Sequence, residues 1–235
     1  MKGRFDKIVD VFNVLNKNQI SYLVLRNYEN LLNPEMYLDG HGDVDLLCKD
    51  SQEVVMLLDA QSDRKDQSPY KGDGVHYYIY VGGERVSLDL RSVGDGYYCE
   101  MWEDNLLRNR VFHNGFYVMD EESYFYTLIY HAILQKTVLS KEYLFRLSEM
   151  AKRQGIMVAD YSEDGFISIL EKYMRKEGYS YTYPVDFMVP TRFQLVSRDM
   201  IIFNWDRWLR HQLFWSKIRT IEIMVWLKHK LQGRN

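Results

Sequence analysis

A chain of 235 residues, 46% of them hydrophobic and 27% charged, is long enough to bury a proper core and too apolar to be disordered over most of its length. Two cysteines, Cys48 and Cys99, exclude a disulfide framework and a multi-cysteine zinc site, and are expected as free thiols in a reducing cytoplasm. Charge is divided unevenly: residues 198–235 hold eight Lys/Arg against three Asp/Glu, a balance of +5, which with −3 for the whole chain leaves −8 on residues 1–197.

The first seventeen residues intersperse charges among apolar side chains, unlike the apolar core of a signal peptide, and no run of eighteen apolar residues occurs, so a cytoplasmic protein is expected. Phe5, Ile8, Val9, Phe12 and Leu15 form one helical stripe, which Asn16-Lys17-Asn18 ends. Ser21–Arg26 reads as a buried strand, and residues 27–42 as a loop of about sixteen residues, long enough to suggest function. A second strand spans Asp43–Lys49, with a helix from Ser51. Val75–Val81 and Glu84–Arg91 flank Gly82-Gly83 and are expected as an antiparallel hairpin. Trp102–Arg110 reads as a helix and Gly115–Met119 as a last strand.

From Asp120, an N-cap followed by Glu121 and Glu122, the pattern is helical almost to the end. The expected fold is α+β: residues 1–119 an α/β half with a mixed, mainly antiparallel sheet, and 120–235 a helical C-terminal region. The 19 tyrosines and 5 tryptophans suit sugar-, membrane- or partner-facing surfaces and equally a Tyr-rich core.

Side chains alternate along a strand, so Asp43 and Asp45 share one face while Val44 and Leu46 go to the core. The same alternation puts Ser87, Asp89 and Arg91 on one face of the later strand. Three carboxylates on one sheet face repel each other unless cations neutralise them, which argues for a metal site; solvated residues on an exposed face are the plainer reading. Gly40-His41-Gly42 directly precedes Asp43. Two glycines there let backbone amides approach a phosphate, and His41 can add a donor or relay a proton; a flexible surface turn is the alternative. His131 and Lys136 are five residues apart on the helix from 120 to 136, hence not on one helical face, and a structural role is the expectation for each. His76 alternates with Tyr78 and Tyr80 and is expected to pack.

The order helix, strand, loop, D-x-D strand, helix and later single-Asp strand resembles the nucleotidyltransferase superfold of polymerase-β-like enzymes. The phrases Val24-Leu-Arg-Asn-Tyr-Glu29, Gly42-Asp-Val-Asp-Leu-Leu47 and Tyr124–Lys136 are similar, more narrowly, to nucleotidyltransferase-like proteins associated with bacterial capsule and O-antigen biosynthesis. The resemblance covers roughly residues 5–145. It implies transfer of a nucleotidyl or related phosphoryl group from a nucleotide or nucleotide-sugar donor to a hydroxyl of a sugar or glycan acceptor. Asp43, Asp45 and Asp89 would be the catalytic, Mg2+- or Mn2+-binding residues, and Arg26, Asn27, Gly40, His41, Gly42 and Arg91 the phosphate- and substrate-binding ones. One departure stands out: Arg26-Asn27 occupies the place of the superfamily's Gly-Gly or Gly-Ser pair, and an arginine can bind phosphate by charge and a bidentate fork instead.

Three other readings compete. In glycosyltransferases the D-x-D motif usually falls nearer residue 100 than 43. A nucleic acid substrate is a poor match for an acidic catalytic half, so no nucleic acid partner is expected. A catalytically degenerate scaffold, partner of a glycan-assembly enzyme, would bind metal without turnover. In Trp205–Trp215 a helical projection gathers Trp205, Trp208, Leu209, Leu213 and Trp215 opposite Asp206, Arg207, Arg210 and His211, which suits peripheral membrane contact through 205–230. A C-terminal helix pair packed on the body is the plainer alternative, with Ile221–Leu227, apolar almost all round, as a buried segment.

Overall fold

The computed structural model describes residues 4–33, 43–63 and 74–231. The opening stripe folds as α1 (Ile8–Lys17), which buries Ile8, Val11, Phe12 and Leu15. Strands β1 (Tyr22–Val24) and β2 (Asp43–Cys48) follow; Gly40, His41 and Gly42 lie outside the described residues. Asp50 then caps α2 (Ser51–Leu58) by accepting a hydrogen bond from the Gln52 amide.

Strand β3 (Gln61–Ser62) pairs with β4 (His76–Val81), which forms the expected antiparallel hairpin with β5 (Glu84–Ser92). Gly82 and Gly83 both take positive φ, 61° and 91°, as the two-residue turn requires. After α3 (Glu100–Arg108) comes a second hairpin, β6 (Val111–His113) and β7 (Phe116–Val118), which the sequence reading reduced to its second strand. Its turn is Asn114-Gly115, again with positive φ at both positions.

Among the described residues the sheet has the order β3-β4-β5-β2-β1-β7-β6, with β2–β5 and β1–β7 parallel and the other neighbours antiparallel. The fold is thus α+β, a mixed and mainly antiparallel sheet flanked by helices, with a helical C-terminal region. Strand alternation divides the core between the two faces. Val44, Leu46, Val86, Leu88 and Leu90 pack with Phe12 and Leu15 of α1. Leu23, Leu25 and Leu47 point the other way, into a core shared with Trp102, Phe125, Leu147 and Phe166, so one core crosses the expected boundary at 119/120.

That second core is built by α4 (Glu121–Ile129), α5 (Lys141–Arg153) and α6 (Glu163–Glu177). Asp120 caps α4 by accepting from the Ser123 amide, as its sequence predicts. Several tyrosines serve this core: Tyr98, Tyr130 and Tyr181 are fully buried, Trp102 stacks on Tyr179, and Tyr126 stacks on Tyr173 at 3.8 Å. Cys48 and Cys99 are buried free thiols.

The C-terminal region departs from the expectation in two ways. Residues 183–200 are largely irregular, framed by a short parallel pair, β8 (Tyr181–Thr182) with β9 (Ile201–Ile202). Among the described residues, 205–231 form one helix, α7 (Trp205–Leu231), in place of the expected packed pair. Ile221, Ile223, Met224, Val225, Trp226 and Leu227, expected to be buried, are all between 42% and 59% exposed. Periodicity reports only that a segment is apolar; the described fold places nothing against this one.

Candidate active site

Asp43, Asp45 and Leu47 share the face of β2 that the helical region covers. Leu47 lies under the helices, while the two aspartates lie where cover gives way to a cavity of about 310 Å³. Strand β5 runs parallel to β2 in a register that pairs Asp45 with Asp89 and Asp43 with Ser87. All three predicted carboxylates therefore line one cavity, together with Arg26, Asn27 and Arg91. The rest of its wall comes from far along the chain and includes His131, Lys136, Tyr143 and Asp186.

The carboxylates are costly as placed. Burial first, and then the Asp45 charge, pushes the Asp89 pKa up to about 6. Burial and Asp45 also raise that of Asp43. His76, expected to pack, lies opposite Asp89 across the hairpin, with Nε2 3.7 Å from Asp89 Oδ1.

Arg26 answers part of this charge. Its Nη2 donates to Asp45 Oδ1 at 2.5 Å, and its Nη1 donates to the Tyr97 hydroxyl at 2.6 Å. Asn27 takes a left-handed backbone, φ 55°, and its Oδ1 accepts from Arg146. Arg91 is 3% exposed and lies over the Tyr97 ring at 4.4 Å. Its Nη2 donates to Asp186 at 3.0 Å, while Nε and Nη1 have no hydrogen-bond partner among the described residues. Two buried, unsatisfied guanidinium donors beside a cavity are costly unless an acceptor arrives.

Tyr97 holds this cluster together, and a buried glutamate holds Tyr97. Glu103 accepts from the Gly94 and Tyr98 amides at 2.7 and 2.9 Å, which fixes the 94–98 turn. Burial, then Asp95, holds its pKa well above the usual carboxylate range. The sequence shows Val93-Gly-Asp-Gly-Tyr97 only as a turn, and only packing reveals that it delivers a tyrosine to the site.

His131 lies within 3.2 Å of the Tyr97 hydroxyl and 3.3 Å of Gln135 Oε1, both through Nδ1. Gln135 donates its Nε2 to the Tyr97 carbonyl, so its Oε1 faces the ring as an acceptor. Burial, then Arg26 and Lys136, holds the His131 pKa well below its ordinary value, so the ring is neutral.

His131 and Lys136 line the same cavity although α-helical spacing separates five residues onto different faces. A π-helical turn, Tyr130–Leu134, ends the helical run begun by α4, and Lys136 lies in the bend that follows it, so helical spacing does not relate the two positions.

Among the described residues, no group of three or more His, Cys, Asp or Glu side chains is placed to hold one metal ion. The donor chemistry nevertheless suits Mg2+ or Mn2+, which take hard oxygen ligands. Magnesium in phosphate-transferring sites is commonly held by one or two carboxylates and completed by substrate phosphate and water. The repulsion that raises the Asp89 pKa is of the kind a cation relieves.

Neither a protein-family model nor a curated protein sequence matches the chain. Among solved structures, it is similar to an antigenic nucleotidyltransferase-like protein from Paracoccidioides brasiliensis, at 12% identity and a TM-score of 0.35, over 72% of this chain and 86% of that one.

Proposed function

We propose that this protein is a metal-dependent transferase that moves a nucleotidyl or related phosphoryl group to a hydroxyl of a sugar or glycan intermediate in surface polysaccharide biosynthesis. The observation that carries the reading is the meeting of Asp43, Asp45 and Asp89 with the cations Arg26, Arg91 and Lys136 in one cavity. The glycan acceptor rests on the sequence resemblance at 24–29, 42–47 and 124–136. On this reading residues 1–119 carry the chemistry and residues 120–235 cover and complete the cavity, in a cytoplasmic protein. Among the described residues no helix is long and apolar enough to cross a membrane.

Asp43 and Asp45 would hold Mg2+ or Mn2+, which neutralises donor phosphate charge and polarises the phosphorus centre. Arg26 sits on Asp45 and is placed to exchange that carboxylate for a donor phosphate oxygen. The unsatisfied Nε and Nη1 of Arg91 are a second phosphate anchor. Gly40, His41 and Gly42 complete the proposed phosphate-binding set. Asp89, whose pKa is pushed up to about 6 in the metal-free protein, is ionised at neutral pH and able to accept a proton. It accepts the proton of the acceptor hydroxyl as that oxygen bonds to phosphorus and the donor's leaving phosphate departs with its bonding electron pair.

A catalytically degenerate scaffold is the second reading, favoured by the Arg26–Asp45 pair, which occupies a carboxylate that a metal site needs. A thermal-shift screen of nucleoside triphosphates and nucleotide-sugars, each with Mg2+ or Mn2+, separates the two. A bound donor at about 100 times its dissociation constant adds about 2.7 kcal/mol, a rise of several degrees. The transferase reading expects that rise for at least one donor, and expects it to need the cation. Unchanged melting with every donor would overturn the transferase reading, and a rise with the cation alone would leave the scaffold.

A further inference from the structure

We propose that α7 is a membrane-interface helix, by which the protein lies on an anionic lipid surface with the helix in the plane of the headgroups. The inference concerns a surface separate from the catalytic cavity and does not depend on the reaction assigned there.

The helix docks on the body by its polar side. Arg207 donates through Nη1 to the Asp95 and Tyr183 carbonyls and through Nη2 to the Gly94 carbonyl, at 3.1 to 3.2 Å. His211 is 1% exposed and donates through Nε2 to the Pro184 carbonyl. These two residues, opposite the apolar arc in the helical projection, are the clamp. The apolar residues assigned to the opposite arc divide: Trp208 is partly buried against the core, while Trp205, Leu209 and Leu213 are 63%, 39% and 64% exposed.

At about 100° per residue, Trp205, Leu209, Leu213, Ile223, Met224 and Leu227 fall within one sector of about 100° facing away from the clamp, a sector that also takes in Ser216, Thr220 and, at its edge, Asp206. All six apolar side chains are exposed, and Ile202 and Phe203, at 56% and 57% exposure, extend the apolar surface ahead of the helix. Exposed cations flank the sector on both sides: Lys217, Lys228 and Arg210, the last ion-paired with Asp206, along one edge, Arg219 and Lys230 along the other. Lysine and arginine stems can cover the edge of an apolar stripe while their charges reach up to phosphate. Lys230 lies 5.0 Å from the Trp226 ring, and tryptophan suits the headgroup boundary.

Charge decides between occupants. Residues 205–231 hold six Lys/Arg against two Asp/Glu, so pairing this stripe with the same stripe of a second copy would bring like charges together. An anionic lipid surface complements both the stripe and its edges. Geometry adds a consequence: Pro190 lines the catalytic cavity and also a neighbouring one formed with Trp215, Arg219 and Glu222 of α7. A protein held by α7 would carry its active site close to the lipid surface.

Co-sedimentation of the full chain with vesicles of phosphatidylglycerol and phosphatidylcholine tests the proposal, at low and high salt and against pure phosphatidylcholine. Two variants change only exposed residues: one carries Leu209→Ser, Leu213→Ser and Ile223→Ser, the other Lys217→Gln, Arg219→Gln, Lys228→Gln and Lys230→Gln. The wild type should pellet with the anionic vesicles at low salt, with affinity about tenfold or more lower in high salt, on neutral vesicles and in either variant. Circular dichroism and melting of both variants should match the wild type. Failure of the wild type to pellet with anionic vesicles would overturn the proposal. So would light scattering that shows a dimer in solution abolished by the serine variant, which would assign the stripe to a second copy.

Discussion

Replacing Asp89 with Asn is expected to abolish transfer while making the metal-free protein more stable, by up to about 3 kcal/mol near pH 7.5. The folded state raises the Asp89 pKa from 3.8 to about 6. The folded protein therefore holds this proton more tightly than the unfolded chain, and stability falls as pH rises from about 4 to about 6. Above that window the carboxylate is ionised in both states, and about 2 pK units at 1.36 kcal/mol each is the cost carried. Asparagine keeps the shape and removes the charge. Urea unfolding of both proteins across pH 4 to 8 checks this: wild-type stability should fall through the window relative to Asp89→Asn, and the gap should be widest above pH 6. Activity should drop by several orders of magnitude, since the proposed proton acceptor is lost.

Asp45→Asn should behave in the opposite way on stability, although Asp45 faces Asp89 across the same pair of strands. From sequence alone, relief of carboxylate repulsion predicts that Asp45→Asn leaves stability unchanged or raised. The structure reverses that expectation, because Asp45 is the ion-pair partner of Arg26 and the two side chains are 8% and 10% exposed. Removing one member of a buried pair strands the other, at a cost of about 3 kcal/mol or more. Activity should again fall by several orders of magnitude. Two aspartates in register, each needed for transfer, are thus distinguished by the sign of their effect on melting temperature. A rise for Asp45→Asn would show that Arg26 does not depend on it.

How far the site was legible in the sequence follows from how local each signal is. The parity that sets Asp43, Asp45 and Asp89 on one face needs only the two-residue period of a strand, and all three line the cavity. The Asn114-Gly115 turn, flanked by Val111-Phe-His113 and Phe116-Tyr-Val118, was an equally local signal for the β6–β7 hairpin. Tyr97 and Asp186 had none: each comes from an irregular segment whose position is set by packing, by Glu103 beneath one and by Arg91 against the other. His131 and Lys136 line one cavity although five residues apart, because the helical run stops at Leu134 and Lys136, in the bend beyond it, is not placed by helical spacing. The clamp side of α7 was inverted for a related reason. Arg207 and His211 lie on the polar side of the helical projection, but the backbone carbonyls of residues 94, 95, 183 and 184 give that side partners in the body.

On the proposed reading Asp43 and Asp45 hold a divalent cation beside Asp89, together with a phosphorylated donor, and Mn2+ binding followed by electron paramagnetic resonance is the test. Free Mn2+ would be titrated with wild type, Asp89→Asn and the variant with Asp43, Asp45 and Asp89 all changed to Asn, each with and without the donor found by thermal shift. The account predicts that wild type binds Mn2+, more tightly with donor present, and that affinity weakens as pH falls below about 6 because Asp89 must give up its proton. It predicts a loss of about 100-fold or more in the triple variant. Equal Mn2+ affinity in wild type and the triple variant, with or without donor, would contradict it.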